Sequence, residues 1–139
     1  MIRALLDTDV VLDLVLERTP FVEEAAALWL AHEKQLFVAY AAGITPINVF
    51  YIVRKIKGAD VAREAVDLLI STLHVCVIDQ QVLQAALAIP MIDYEDAVQV
   101  AAAVKLQLDA VVTRNTKDYA NAAIPVFSPP DFLKQLPTT

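Results

Sequence analysis

Glycine is scarce in this chain, with two in 139 residues, and so are cysteine (one), tryptophan (one) and histidine (two). Two glycines beside 58% hydrophobic and 20% charged residues describe a folded, helix-rich protein and exclude disorder. Cys76, alone in "HVCVI", has no internal disulfide partner; it reads as a core thiol in a reducing compartment, so a cytoplasmic location is expected. His32 and His74 stand apart, without the spacing of a structural zinc site, which takes about four Cys or His ligands. No Ser-His-Asp arrangement is apparent either. No window approaches the roughly 18 uncharged apolar residues of a spanning helix, and the apolar run opening "MIRALLDTD" is too short for a secretory signal. Positive charge is also short: 11 Lys and Arg against 17 Asp and Glu give a net charge of −6. That argues against broad non-specific binding to duplex nucleic acid, which rests on phosphate neutralisation. Linkers, repeats and low-complexity segments are missing as well, and one domain over residues 1–139 is expected.

What is there is an alternation of short apolar runs and helical stretches. Residues 3–6, 36–40, 74–78, 110–113 and 125–127 are short, apolar and non-alternating, as strands buried on both faces of a parallel sheet should be. Helices follow each: "TPFVEEAAALWLAHEK" with Thr19 as N-cap and Pro20 first, and "TPINVFYIVRKIKG" with Thr45, Pro46 and a stop at Gly58. Asp60, Asp79, Asp93 and Ser128 are expected to cap the helices that follow them. The pattern predicts an α/β three-layer sandwich, a central parallel sheet of five short strands with helices on both faces.

Ligands of open α/β sheets bind outside the carboxyl ends of strands, where the strand order reverses. Asp7 ends the first strand, and "TRNTKD" follows another, which sends Thr113, Asn115 and Asp118 to the same edge. Asp7 could be a helix cap, but its place at the strand end favours a site role. Asp9 falls in a first helical turn, where an acid either complements the macrodipole or lines the site. Asp13, one turn on, is expected to pack or pair near the site. In "IDYEDAVQ", Asp93 reads as the cap, Asp96 as the acid reaching towards Asp7, and Glu95 as solvent-facing. Carboxylates gathered without Cys or His suit a hard cation, Mg²⁺ or Mn²⁺, which can activate water against a phosphodiester. The basic residues cluster as Arg54, Lys55 and Lys57, and as Arg114 and Lys117.

Over nearly its whole length the chain resembles the PIN domain, the fold of ribonuclease toxins in bacterial toxin–antitoxin pairs. "LLDTDVVLDLVLER" is similar to the opening motif, with Asp9 where Asn is more usual. "ITPINVFYIVRK" is similar to the second motif, and "DYEDAVQVAAAVKLQLDAVVTRNTKDY" to the third and fourth together. The resemblance implies Mg²⁺ or Mn²⁺, hydrolysis of RNA and an antitoxin partner. Carried over by position, it makes Asp7 and Asp96 metal ligands and, with Asp118, catalytic residues. Asp9, Asn48, Thr113, Arg114, Asn115 and Lys117 then line the site or bind substrate. Thr113 matches a hydroxyl that orients the first carboxylate. Asn48 and Asn115 fall where the family has acids, so the site reads as partly depleted, and restoring carboxylates there is expected to tighten cation binding.

Three functions compete. The first is a metal-dependent toxin-type ribonuclease, with Arg54, Lys55, Arg114 and Lys117 steering the RNA. The second is a weak or inactive PIN module that binds RNA or a partner protein. In the third, "LLDTD" resembles the opening of haloacid-dehalogenase-like phosphatases, whose first Asp is a nucleophile; no suitable later Lys or acid pair supports it. The apolar surplus, with the helices around "FVEEAAALWLAHE" and "NVFYIVRKIK", suggests a homodimer.

Overall fold

Each apolar run forms a strand in the computed structural model, which describes residues 1–138. The strands are β1 (Arg3–Leu6), β2 (Val38–Ala42), β3 (His74–Cys76), β4 (Ala110–Val112) and β5 (Val126–Phe127). All neighbours pair in parallel, in the order β3-β2-β1-β4-β5. The helices are α1 (Thr8–Val15), α2 (Val22–Glu33), α3 (Ile44–Lys57), α4 (Ala59–Thr72), α5 (Gln80–Leu87), α6 (Tyr94–Lys105) and α7 (Pro129–Leu133). A 3-10 turn spans Thr116–Tyr119. From β1 the chain works outward through β2 and β3, then returns to place β4 on β1's other side. The strand order therefore reverses between β1 and β4, and the tips of those two strands flank a crevice.

Because side chains alternate across a strand, β1 feeds two apolar layers. Ala4 and Leu6 join a cluster with Val11 of α1, Leu28 of α2, Val49 and Val53 of α3, Leu69 of α4 and Phe132 of α7. Leu5 joins Val82 and Ala86 of α5 and the alanines of α6 on the other face. The run Ala101, Ala102 and Ala103 lets α6 lie close over the sheet, since a methyl group holds the backbones apart least. Among the described residues, no helix is long and apolar enough to cross a membrane.

Several helix starts differ from expectation. Thr19 and Pro20 precede α2 in a turn whose amides, Phe21 N and Val22 N, bond to Arg18 O, so the helix begins at Val22. Thr45 does not cap α3, which starts at Ile44 after Gly43; its hydroxyl is buried and meets Thr8 Oγ1 at 2.9 Å, tying α1 to α3. Asp60 lies within the first turn of α4 behind Gly58, whose φ of 92° ends α3 and opens α4. Strand β2 begins two residues later than expected, at Val38. Asp79, Asp93 and Ser128 do cap, each accepting from the backbone amide three residues on.

His32 proves structural. Its Nδ1 accepts from Ala39 N (3.0 Å), so the ring proton sits on Nε2 and is donated to Thr72 O (2.7 Å), linking α2, β2 and α4.

The close seat of α6 generates a test. Ala103 is 0% exposed, so Ala103→Leu should overpack that layer and cost about 1–3 kcal/mol. Urea unfolding measures this, and an unchanged midpoint would show that α6 lies further from the sheet.

Candidate functional site at the β1–β4 crevice

Asp7 leaves the tip of β1 immediately ahead of α1, where an acid usually caps, yet its side chain makes no cap bond. The carboxylate turns across the crevice instead. Thr113, at the tip of β4, donates to its Oδ2 at 2.6 Å, and Gln99 of α6 donates to its Oδ1 at 3.1 Å. Asp7 is 3% exposed, and burial raises its pKa above the ordinary carboxylate value, against the pull of these two bonds.

Gln99 carries the connection onward. Its Nε2 also reaches the Tyr119 hydroxyl (3.3 Å), and Tyr119 donates to Asp96 Oδ1 (3.1 Å). Asp7 and Asp96 are thus joined by a chain of neutral donors, with no Lys or Arg bridging them. Burial, then the charges of Asp7 and Asp93, push the Asp96 pKa up to about 7. Burial, then the charges of Asp7 and Asp96, drive the Tyr119 hydroxyl upward, so it stays a donor at any physiological pH.

The cleft above these groups has a volume of about 390 Å³ and is lined by Asp7, Asp9, Asn48, Asp93, Glu95, Asp96, Asn115 and Asp118, among others. Six of its lining residues are acids and none is Lys or Arg. Three acids at the start of α6 are tolerated together because the amides of a helix N-terminus favour negative charge. Glu95 is not solvent-facing: it is half-buried and accepts from Asn48 Nδ2 at 2.6 Å, which turns it into the cleft. Its pKa is raised, chiefly by burial.

The structure brings Asp7, Asp9, Asp96, Asp118, Asn48 and Asn115 to one cleft, with Thr113 beneath Asp7. Lys117 lies alongside, in a neighbouring hollow shared with Asp93, Asp96 and Asp118. Arg114 is turned away. Its guanidinium forks onto Asp13 (Nε–Oδ2 2.6 Å, Nη2–Oδ1 3.2 Å) and stacks 4.0 Å over the Phe21 ring. Asp13 is 1% exposed and pairs as expected, while Arg114 is committed to it rather than free for a ligand. That clasp fixes the backbone between Thr113, which holds Asp7, and Asn115, which donates to Asp9 Oδ2 at 3.1 Å.

Gln99 and Tyr119 join Asp7 to Asp96, and the sequence reading did not single them out. The signal was present: Gln99 is the one polar side chain in "AVQVAAAV", and Tyr119 closes the "TRNTKDY" block. Among the described residues, no three His, Cys, Asp or Glu side chains form a ready-made metal cluster. The donors nevertheless suit a hard cation, being carboxyl and amide oxygens with no Lys or Arg lining the cleft to compete for them.

A family profile described as PIN domain matches residues 3–117, and the chain belongs to the PIN domain family. It is similar to a toxin-antitoxin complex from Klebsiella pneumoniae, at 29% identity and TM-score 0.67 over 91% of this chain and 97% of that one. DNA-bound VapBC from Salmonella typhimurium matches at 20% identity and TM-score 0.72, over 93% and 99%. VapC20 of Mycobacterium tuberculosis, a sarcin-ricin loop cleaving toxin, matches at 14% identity and TM-score 0.64, over 78% and 86%. No curated protein matches by sequence.

Two outcomes follow. Asp96 has a folded pKa raised from 3.8 to about 7, so the fold holds its proton more tightly than the unfolded chain does. The stability this confers is complete below about pH 4 and is lost as pH rises through 7. In chelator, the melting temperature should therefore fall from pH 5 to pH 8, and Asp96→Asn should flatten the slope; an equal slope in both proteins would contradict this. Arg114→Leu, which strips the fork from buried Asp13, should cost about 2–3 kcal/mol, less than a fully buried pair because the arginine is part-exposed. Denaturant unfolding checks it.

Proposed function

We propose that this chain is a divalent-metal-dependent ribonuclease of the toxin–antitoxin type, a single cytoplasmic PIN unit over residues 1–139. The observation that carries the reading is the pairing of Asp7 and Asp96 across the strand-order reversal, linked by Gln99 and Tyr119 and facing a cleft lined by six acids and by no Lys or Arg. Membership of the PIN family and the likeness to toxin structures support it.

Asp7 and Asp96 would hold Mg²⁺ or Mn²⁺. When bound, such an ion draws charge from a phosphodiester and makes water a better nucleophile. The chain's own residues do the rest. Thr113 and Gln99 pin both Asp7 oxygens, so that the carboxylate cannot swing away. Tyr119 takes Asp96 Oδ1, and no donor among the described residues takes Oδ2. Asp118, exposed on the 3-10 turn, reaches the same cleft as a third catalytic acid. Lys117, with Arg54 and Lys55 at the exposed end of α3, would steer the RNA phosphates past an otherwise repelling acidic mouth.

A cognate antitoxin fits the same reading, because the likeness is to toxins solved with antitoxins. A homodimer is also proposed. On α3, Ile47 is 58% and Tyr51 60% exposed and they lie one turn apart, an apolar edge that a second copy of the chain would cover.

The test is cleavage of a mixed-sequence single-stranded RNA with Mn²⁺, with Mg²⁺ and with chelator. Metal-dependent cleavage that falls at least about a hundredfold in Asp7→Asn and in Asp96→Asn is expected, since these groups act as one unit. Cleavage that survives chelator, or both substitutions, would contradict the mechanism. Folded, RNA-binding protein without cleavage would favour the inactive PIN module.

A further inference from the structure

Two carboxamides sit among the acids of the cleft, and each donates to a different one. Asn48 Nδ2 on α3 meets Glu95 Oε1 on α6 at 2.6 Å, and Asn115 Nδ2 beyond β4 meets Asp9 Oδ2 on α1 at 3.1 Å. A carboxylate only accepts, so both amides must present their nitrogen to it. In each pair the acid's other oxygen has no hydrogen-bond partner among the described residues, and both acids line the cleft.

We infer that Glu95 and Asp9 face the bound cation, each carboxylate aimed by the amide that donates to it, so that acid and amide are interchangeable within either pair. The inference rests on the proposed metal-dependent site and deepens it by adding two cation-facing residues. An exchange is what electrostatics permits. An aspartate at 48 would lie against Glu95 and one at 115 against Asp9, two anions in contact, of which one would keep its proton. An amide in the same place removes that repulsion and contributes a hydrogen bond that holds its partner's carboxylate still. Restoring an acid at either position alone, expected from sequence to strengthen the site, is adverse in this geometry. It helps only when the facing acid becomes an amide.

Mn²⁺ binding to the full chain, by calorimetry and by the shift in melting temperature, reads this out without reference to RNA cleavage. Glu95→Gln and Asp9→Asn should each weaken Mn²⁺ by about tenfold or more. The exchanges Asn48→Asp with Glu95→Gln, and Asn115→Asp with Asp9→Asn, should recover most of that loss. Metal-free melting temperatures of the single variants should hold or rise, because one of several repelling charges is gone. Where a single variant melts lower instead, its exchange variant decides. Wild-type affinity in either single variant, or an exchange no tighter than its parent, overturns the inference while leaving the ribonuclease reading intact. Failure of the wild-type chain to bind Mn²⁺ overturns both.

Discussion

A buried carboxylate held only by neutral donors is the constraint around which the cleft is arranged. Asp7 is nearly inaccessible, and a charge in such a place is costly unless hydrogen-bonded. Thr113 and Gln99 meet that need from two other elements, β4 and α6. To deliver those donors, β4 must lie beside β1 and α6 must lie close over the sheet. The parallel order and the alanine-rich face of α6 satisfy both conditions. Gln99 is fully buried within an apolar helix face, and its three polar contacts (Asp7, Tyr119 and Thr8 N) account for its presence there.

Charge is sorted around this anchor. Arginine meets acid behind the cleft, where Arg114 and Arg18 both approach Asp13. Inside the cleft, amides and hydroxyls meet the acids instead. Residues 113, 114 and 115 divide the labour, holding Asp7, Asp13 and Asp9 respectively. Neutral donors keep carboxylates in place while leaving their charge unspent, which is the condition a cation requires and an arginine would remove.

Much of this was legible in the chain. The five apolar runs read as strands because burial on both faces removes alternation, and Asp7, Asp96 and Thr113 followed from strand-end geometry and motif. Helix starts were less legible. Thr45 and Pro46 carry a capping signature, yet a buried contact between Thr45 and Thr8 outweighs it. Glu95 was misplaced because angular position on a helix was taken to decide exposure. At a first turn the cleft lies beyond the helix end, so neighbouring residues can both reach it. Arg114 looked like a free base because its partner, Asp13, is about a hundred residues away in sequence, and only the fold brings the two together.

Whether the acids of this cleft act as one cation site is decided by anomalous diffraction from crystals soaked in Mn²⁺. A manganese peak is expected within ligating distance of Asp7 and Asp96, in the cleft that Glu95 and Asp9 also line. A peak elsewhere on the chain, or none in an accessible cleft at millimolar Mn²⁺, would rule a shared site out.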